Sequence, residues 1–169
     1  MKQPIFQPPI LPARFISPEF DLCLFFDFSL RSAGEFFNEL KEALPEGESA
    51  SVFNSRDLSA LGTLRKDEDW AGKIALIEKA LDQEGEYHSL SVVGQSGGWL
   101  IAQEIPVSWG LFAFKKESSV GKRLFEVFEN DGFIRRRDVE EAIGGSRPSL
   151  VNDVGLDFLR YLMLNYGSS

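Results

Sequence analysis

At 169 residues with 15 Phe, 3 Trp and 3 Tyr, the chain has the length of one domain and can bury about 70% of its unfolded surface. Its net charge of −8 and pI near 4.8 argue against a general nucleic-acid binder, because affinity for phosphate comes from Lys and Arg. No apolar run reaches the about 20 residues of a spanning helix, and a single Cys makes no internal disulfide.

The first 19 residues read as an extended strap. Pro4, Pro8, Pro9, Pro12 and Pro18 fix φ and restrict the residues before them, and they interrupt every stretch that would resemble a signal peptide. Cytoplasm is therefore the expected compartment. Ile5, Phe6, Ile10, Leu11, Phe15 and Ile16 suit a strap that packs across a globular core spanning 20–169.

Between Phe20 and Phe28 apolar residues alternate, placing Phe20, Leu22, Leu24, Phe26 and Phe28 on one strand face. Ser32 and Glu35 have capping-box spacing, and Phe36, Phe37, Leu40 and Leu44 follow as a helical stripe that stops at Pro45. Ala50 to Phe53 suits a short strand. Asp67 or Asp69 can cap a helix with the stripe Trp70, Ile74, Ile77 and Leu81. Tyr87–Gly94, Trp99–Ile105 and Trp109–Lys115 read as an antiparallel meander, with a turn at Gln95–Gly98.

Ser119 then caps a helix that carries Leu124, Val127 and Phe128 and closes at Asp131-Gly132. Phe133–Arg137 reads as extended, and Asp138 with Glu141 forms a second capping box. A last helix, about Asp153 to Tyr166, is apolar nearly all round and is expected to be buried. The sum is an α+β fold, with an antiparallel sheet of four or five strands packed by about five helices.

Few motifs carry chemistry. Gly94-Gln95-Ser96-Gly97-Gly98 fits G-x-S-x-G and resembles the nucleophile elbow of α/β-hydrolases over about ten residues. A serine hydrolase using Ser96 is thus one reading. The only His, His88, precedes the Ser where those enzymes place it after, and strand-like alternation over Trp99–Ile105 favours a hairpin turn. Cys23 and His88 are the remaining nucleophile–base pair, but Cys23 sits in the most apolar strand, where a thiol behaves as a small hydrophobe. No zinc site is expected from one Cys and one His.

Asp21 and Asp27 are about 20 Å apart along a strand, too far for a glycosidase pair. Glu39-Leu40-Lys41 matches the E-x-K fragment of metal-dependent nucleases, with Asp21 as an upstream carboxylate, but on a helix i and i+2 do not face each other. Asn130-Asp131-Gly132-Phe133-Ile134 resembles the middle of an EF-hand loop, yet Val127 and Arg135 would fall on ligand positions. Trp70, Trp99 and Trp109 are candidates to line a ligand pocket, but each also sits where core packing explains it, and core is the preferred reading. No metal and no cofactor is expected.

Charge is uneven. Residues 42–87 hold 11 acids and 5 bases, and residues 115–137 hold 7 bases and 4 acids. An acidic flank of that kind steers basic partners, and Asp67, Glu68, Asp69, Glu84 and Glu86 are its candidate contacts. The expected function is a non-enzymatic acidic protein-binding module, in concrete form an inhibitor of the immunity-protein or antitoxin type that occludes a basic partner. Arg135, Arg136 and Arg137 form the one dense basic run and support a third reading, a degenerate nuclease-like or DNA-binding accessory protein.

Overall fold

The computed structural model describes residues 3–85, 89–104 and 109–167. Seven strands form one sheet in the order β3-β2-β4-β5-β6-β1-β7, every neighbouring pair antiparallel. They are β1 Leu22–Phe26, β2 Ser49–Asn54, β3 Ala60–Arg65, β4 Leu90–Gly94, β5 Trp99–Gln103, β6 Gly110–Phe114 and β7 Ile134–Arg135. Among the described residues six α-helices accompany them: α1 Gly34–Ala43, α2 Trp70–Gln83, α3 Ser119–Phe128, α4 Arg136–Ile143, α5 Pro148–Val154 and α6 Leu156–Tyr166. The fold is α+β, with more strands than the four or five that alternation predicts.

The sheet separates two cores. Leu24, Phe26, Val52, Val92, Ile101 and Phe112 face α1, α2 and α3, where Phe37, Trp70 and Leu124 pack. Phe25, Leu100, Ala102 and Leu111 face the strap and α4 to α6, where Phe15, Ile16, Val139 and Leu162 pack. Strands β5 and β6 are buried on both sides, which is why their sequences are nearly continuous apolar runs. Phe20 falls outside β1 and packs in the second core, away from Leu24 and Phe26.

The two extra strands lie at the edges. In β3 only Leu64 is buried, while Ala60, Gly62, Thr63 and Arg65 are exposed, so the hydrophobic signal is too thin to read. β7 has two residues and joins β1 at Leu24 and Phe25. Lys73 donates from Nζ to Thr63 O at 2.8 Å and so occupies part of the β3 edge, as charged side chains commonly do on exposed strands.

Helix starts differ from the sequence reading in three places. Ser32 ends a 3₁₀ turn (Leu30–Ser32) and donates weakly to Ser29 O, while Ala33 caps α1 with no side-chain bond. Ser118, one residue before Ser119, caps α3 and accepts from Gly121 N. Asp138 lies inside α4, where its carboxylate accepts the Arg135 N–H at 2.8 Å. Asp69 caps α2 as expected, accepting from Gly72 N at 3.1 Å.

The C-terminal helix is two helices. Gly155, at φ 83°, separates α5 from α6, a left-handed conformation that costs Gly little. Burial also differs from the expectation, since Leu159, Leu162 and Tyr166 are buried but Tyr161 and Leu164 are exposed. The strap folds back on itself through an antiparallel bridge between Ile5 and Ile16 and seals the second core with Phe15 and Ile16. Among the described residues no helix is long and apolar enough to cross a membrane.

Candidate functional site

Ser96 is exposed at the tip of the β4–β5 hairpin. Gly97 donates its N–H to Gly94 O at 2.9 Å and has φ 69°, and β5 follows at once as a strand where a nucleophile elbow requires a helix. The turn is braced from below. Glu48 Oε1 accepts from Ser96 N at 3.1 Å and from Trp99 Nε1 at 3.3 Å. Among the described residues the Ser96 hydroxyl itself accepts only a long contact from Gly98 N at 3.4 Å.

Cys23 is partly buried between β6 and β7, and burial pushes its thiol up to about 12. At neutral pH it holds its proton and is a poor nucleophile. His88, together with Glu86, Tyr87 and Ile105, lies outside the described residues. Among the described residues no group of three Asp, Glu, His or Cys is placed to hold a metal ion.

The acidic contacts named from sequence are mostly occupied within the fold. Asp67 pairs with Arg65 at 3.3 Å. Glu68 pairs with Lys73 at 2.6 Å and Arg65 at 3.5 Å, and the hydrogen bond from Lys73 holds its carboxyl below the usual range. Asp69 is the α2 cap. Glu84 is exposed at the end of α2 with no ion pair among the described residues.

A second set of acids stands free. Glu35, Glu39 and Glu42 follow i, i+4, i+7 spacing on α1, opposite the buried Phe36, Phe37 and Leu40, and Glu46 lies beyond the helix, past the extended Leu44 and Pro45. All four are exposed and none has an ion pair among the described residues. Glu42 and Glu46 line one groove with Glu48 and Asp67, and Lys41, Arg65 and Lys66 line it as well. Sequence reading selected the denser run at 67–69 and missed Glu35 and Glu39; helical spacing of the charges was the signal available. Of the E-x-K fragment, Lys41 turns away to donate to Glu68 O at 3.2 Å. Asp21 accepts from Lys116 N at 2.9 Å and pairs with its ammonium.

The arginine run is internally neutralised. Arg135 holds Asp138 through Nε at 3.0 Å and Nη2 at 3.2 Å. Burial of Asp138 opposes ionisation, but these bonds and Arg147 at 2.9 Å outweigh it and keep its carboxyl below the usual range. Arg136 pairs with Glu140 at 2.9 Å and Arg137 with Glu141 at 3.8 Å. Asn130 accepts from Arg135, so the loop that resembles a calcium site carries a cation there. Trp70 and Trp99 are fully buried core residues and Trp109 nearly so.

Compared with known proteins, the chain matches no family model, no curated protein and no solved structure.

Proposed function

We propose that the chain is a non-enzymatic protein-binding module that meets a basic protein through the acidic face of α1, acting in concrete form as an inhibitor that occludes its partner. The observation that carries this reading is the set Glu35, Glu39 and Glu42 on α1 with Glu46 just beyond it, all exposed and without ion pairs among the described residues. Charges committed to internal pairs contribute little field beyond their own contact. Three carboxylates on one face of α1, with Glu46 just beyond its end and none of the four paired among the described residues, project a potential that draws a cationic surface during encounter. Buried aromatic and arginine contacts would then supply most of the affinity.

The test begins with low-salt capture of a partner from the native lysate, followed by measurement of its association rate against salt. Screening lengths shrink from about 10 Å at 0.1 M to about 3 Å at 1 M salt. The association rate constant is expected to fall about tenfold or more across that range while the dissociation rate changes little. A salt-independent association rate rejects the steering mechanism.

A further inference from the structure

The strap and α6 share an outer surface that carries apolar side chains and little charge. Leu159, Leu162 and Tyr166 turn α6 into the second core. Asp157, Tyr161 and Leu164, spaced i, i+4 and i+7, are left on the opposite side. Tyr161 is 59% exposed and Leu164 73%. Asn165, next to Leu164 and one turn beyond Tyr161, donates to Pro12 O at 2.7 Å and accepts from Arg14 at 2.6 Å. Leu11 and Phe158 line one cavity, so the 10–12 stretch of the strap runs along α6, and Ile10 on it is exposed. Among the described residues six large apolar side chains stand in solvent, and Phe6, Ile10, Tyr161 and Leu164 are four of them. Scattered exposed apolar residues are ordinary on a monomer, whereas their concentration on two joined elements marks an interaction surface.

Charge decides what fits this surface. The chain carries −8, yet residues 3–18 and α6 together hold only Arg14, Asp157 and Arg160 as charged side chains. Arg14 is engaged by Asn165 O and lies over the Tyr166 ring. A basic partner therefore gains little from this face. A second copy of the chain, repelled by acidic surface elsewhere, meets no repulsion here. Asp157 and Arg160 supply a positive match. They approach each other only to 3.8 Å, with side chains 90% and 60% exposed, and an exposed pair of that kind contributes little. Across a two-fold axis each of them can meet the opposite member on the second copy, because an isologous interface joins i to j and j to i.

We propose that the chain forms a two-fold homodimer through the outer face of α6 and the strap, Asp157 of each copy facing Arg160 of the other, with Ile10, Tyr161 and Leu164 covered between them. The contact lies on the side of the sheet opposite α1. It stands independently of the basic-partner reading and leaves the acidic helix open in both copies. α6 is about 16 Å long, so its face with a short length of strap falls below the roughly 800 Å² per partner of a standard interface. The dimer is accordingly weak and forms at about 10 μM or above.

Sedimentation equilibrium of the wild-type chain from about 1 μM to about 1 mM should show the mass rising from 19.0 kDa toward twice that value. In a ¹⁵N dilution series the amides of Ile10, Tyr161 and Leu164 should shift with concentration while those of Glu39 and Glu42 stay in place. Leu164→Glu, at an exposed position, should keep the wild-type melting temperature and weaken the dimer about tenfold or more. Asp157→Arg or Arg160→Asp alone sets like charges against each other across the axis and should weaken it about tenfold, and the double reversal should restore it. A monomer at every concentration overturns the proposal. So does a dimer indifferent to Leu164→Glu, or one whose shifting amides lie elsewhere. A double reversal no better than either single change rejects the facing of Asp157 and Arg160. The dilution series uses the wild-type chain, so a variant that fails to fold leaves the outcome decided. A monomer whose α6 amides move instead on adding phosphatidylcholine vesicles would assign this face to a lipid surface and overturn the dimer.

Discussion

A methyl group on Gly94 would lie 2.1 Å from Trp99 Nε1 and 2.4 Å from Cε2, and Trp99 is fully buried beneath the hairpin. Gly94→Ala must therefore displace a core indole that also donates to Glu48, an overpacking change of about 1–3 kcal/mol. Gly97 meets no neighbour, but its φ of 69° is left-handed, so Gly97→Ala costs about 1–2 kcal/mol through the backbone alone. Ser96→Ala removes one long contact from an exposed hydroxyl and should stay within about 0.5 kcal/mol. Urea unfolding of the three variants checks the order. A Ser96→Ala variant as unstable as Gly94→Ala would show that the hydroxyl carries structure. The pattern G-x-S-x-G was legible in the sequence, but its first glycine is explained by a tryptophan five residues on, which spacing alone does not reveal.

At the scale of elements, the strap and α6 are joined by side chains that no local pattern pairs. Tyr166 Oη accepts from Phe15 N at 3.3 Å and donates to Ala13 O at 2.8 Å. Asn165 donates from Nδ2 to Pro12 O at 2.7 Å, and Arg14 donates to Asn165 O at 2.6 Å. Tyr166→Phe keeps the ring against Phe15 and Phe25 but strips a buried N–H of its acceptor, an expected loss of about 1–3 kcal/mol. Amide exchange should quicken at Phe15 first, while β5 and β6 keep their protection, because the strap then opens as a local unit. Equal loss of protection in β5 would mean that the strap and the sheet open together. Of the strap's apolar residues Ile5, Phe15 and Ile16 are buried, as their pattern announced, while Phe6 and Ile10 are exposed; its partner helix, about 150 positions away, did not show. The same limit applied elsewhere. Runs buried on both faces, as in β1, β5 and β6, were readable, whereas β3 depends on pairing with β2 and carries little pattern of its own.

For the molecule as a whole, composition gave the charge but not its availability. Asp67, Glu68 and Asp69 looked like the strongest acidic feature, yet the fold spends them on Arg65, Lys73 and the start of α2. The α1 face looked ordinary because its acids are spaced by helical turns. These two groups make opposite predictions. Converting Glu39, Glu42 and Glu46 together to Lys leaves Phe36, Phe37 and Leu40 buried on the far side of α1, so the melting temperature should change little. The association rate with a basic partner should fall about tenfold or more at low salt and converge on the wild-type rate at high salt, with dissociation nearly unchanged. Asp69→Ala instead removes a helix cap, costing about 1 kcal/mol of stability, and should leave association almost untouched. If the Asp69 variant slowed association as much as the α1 reversal, the field would have to originate at the α2 end and the docking face would move there. A slowed association confined to the α1 variant would locate first contact on that helix.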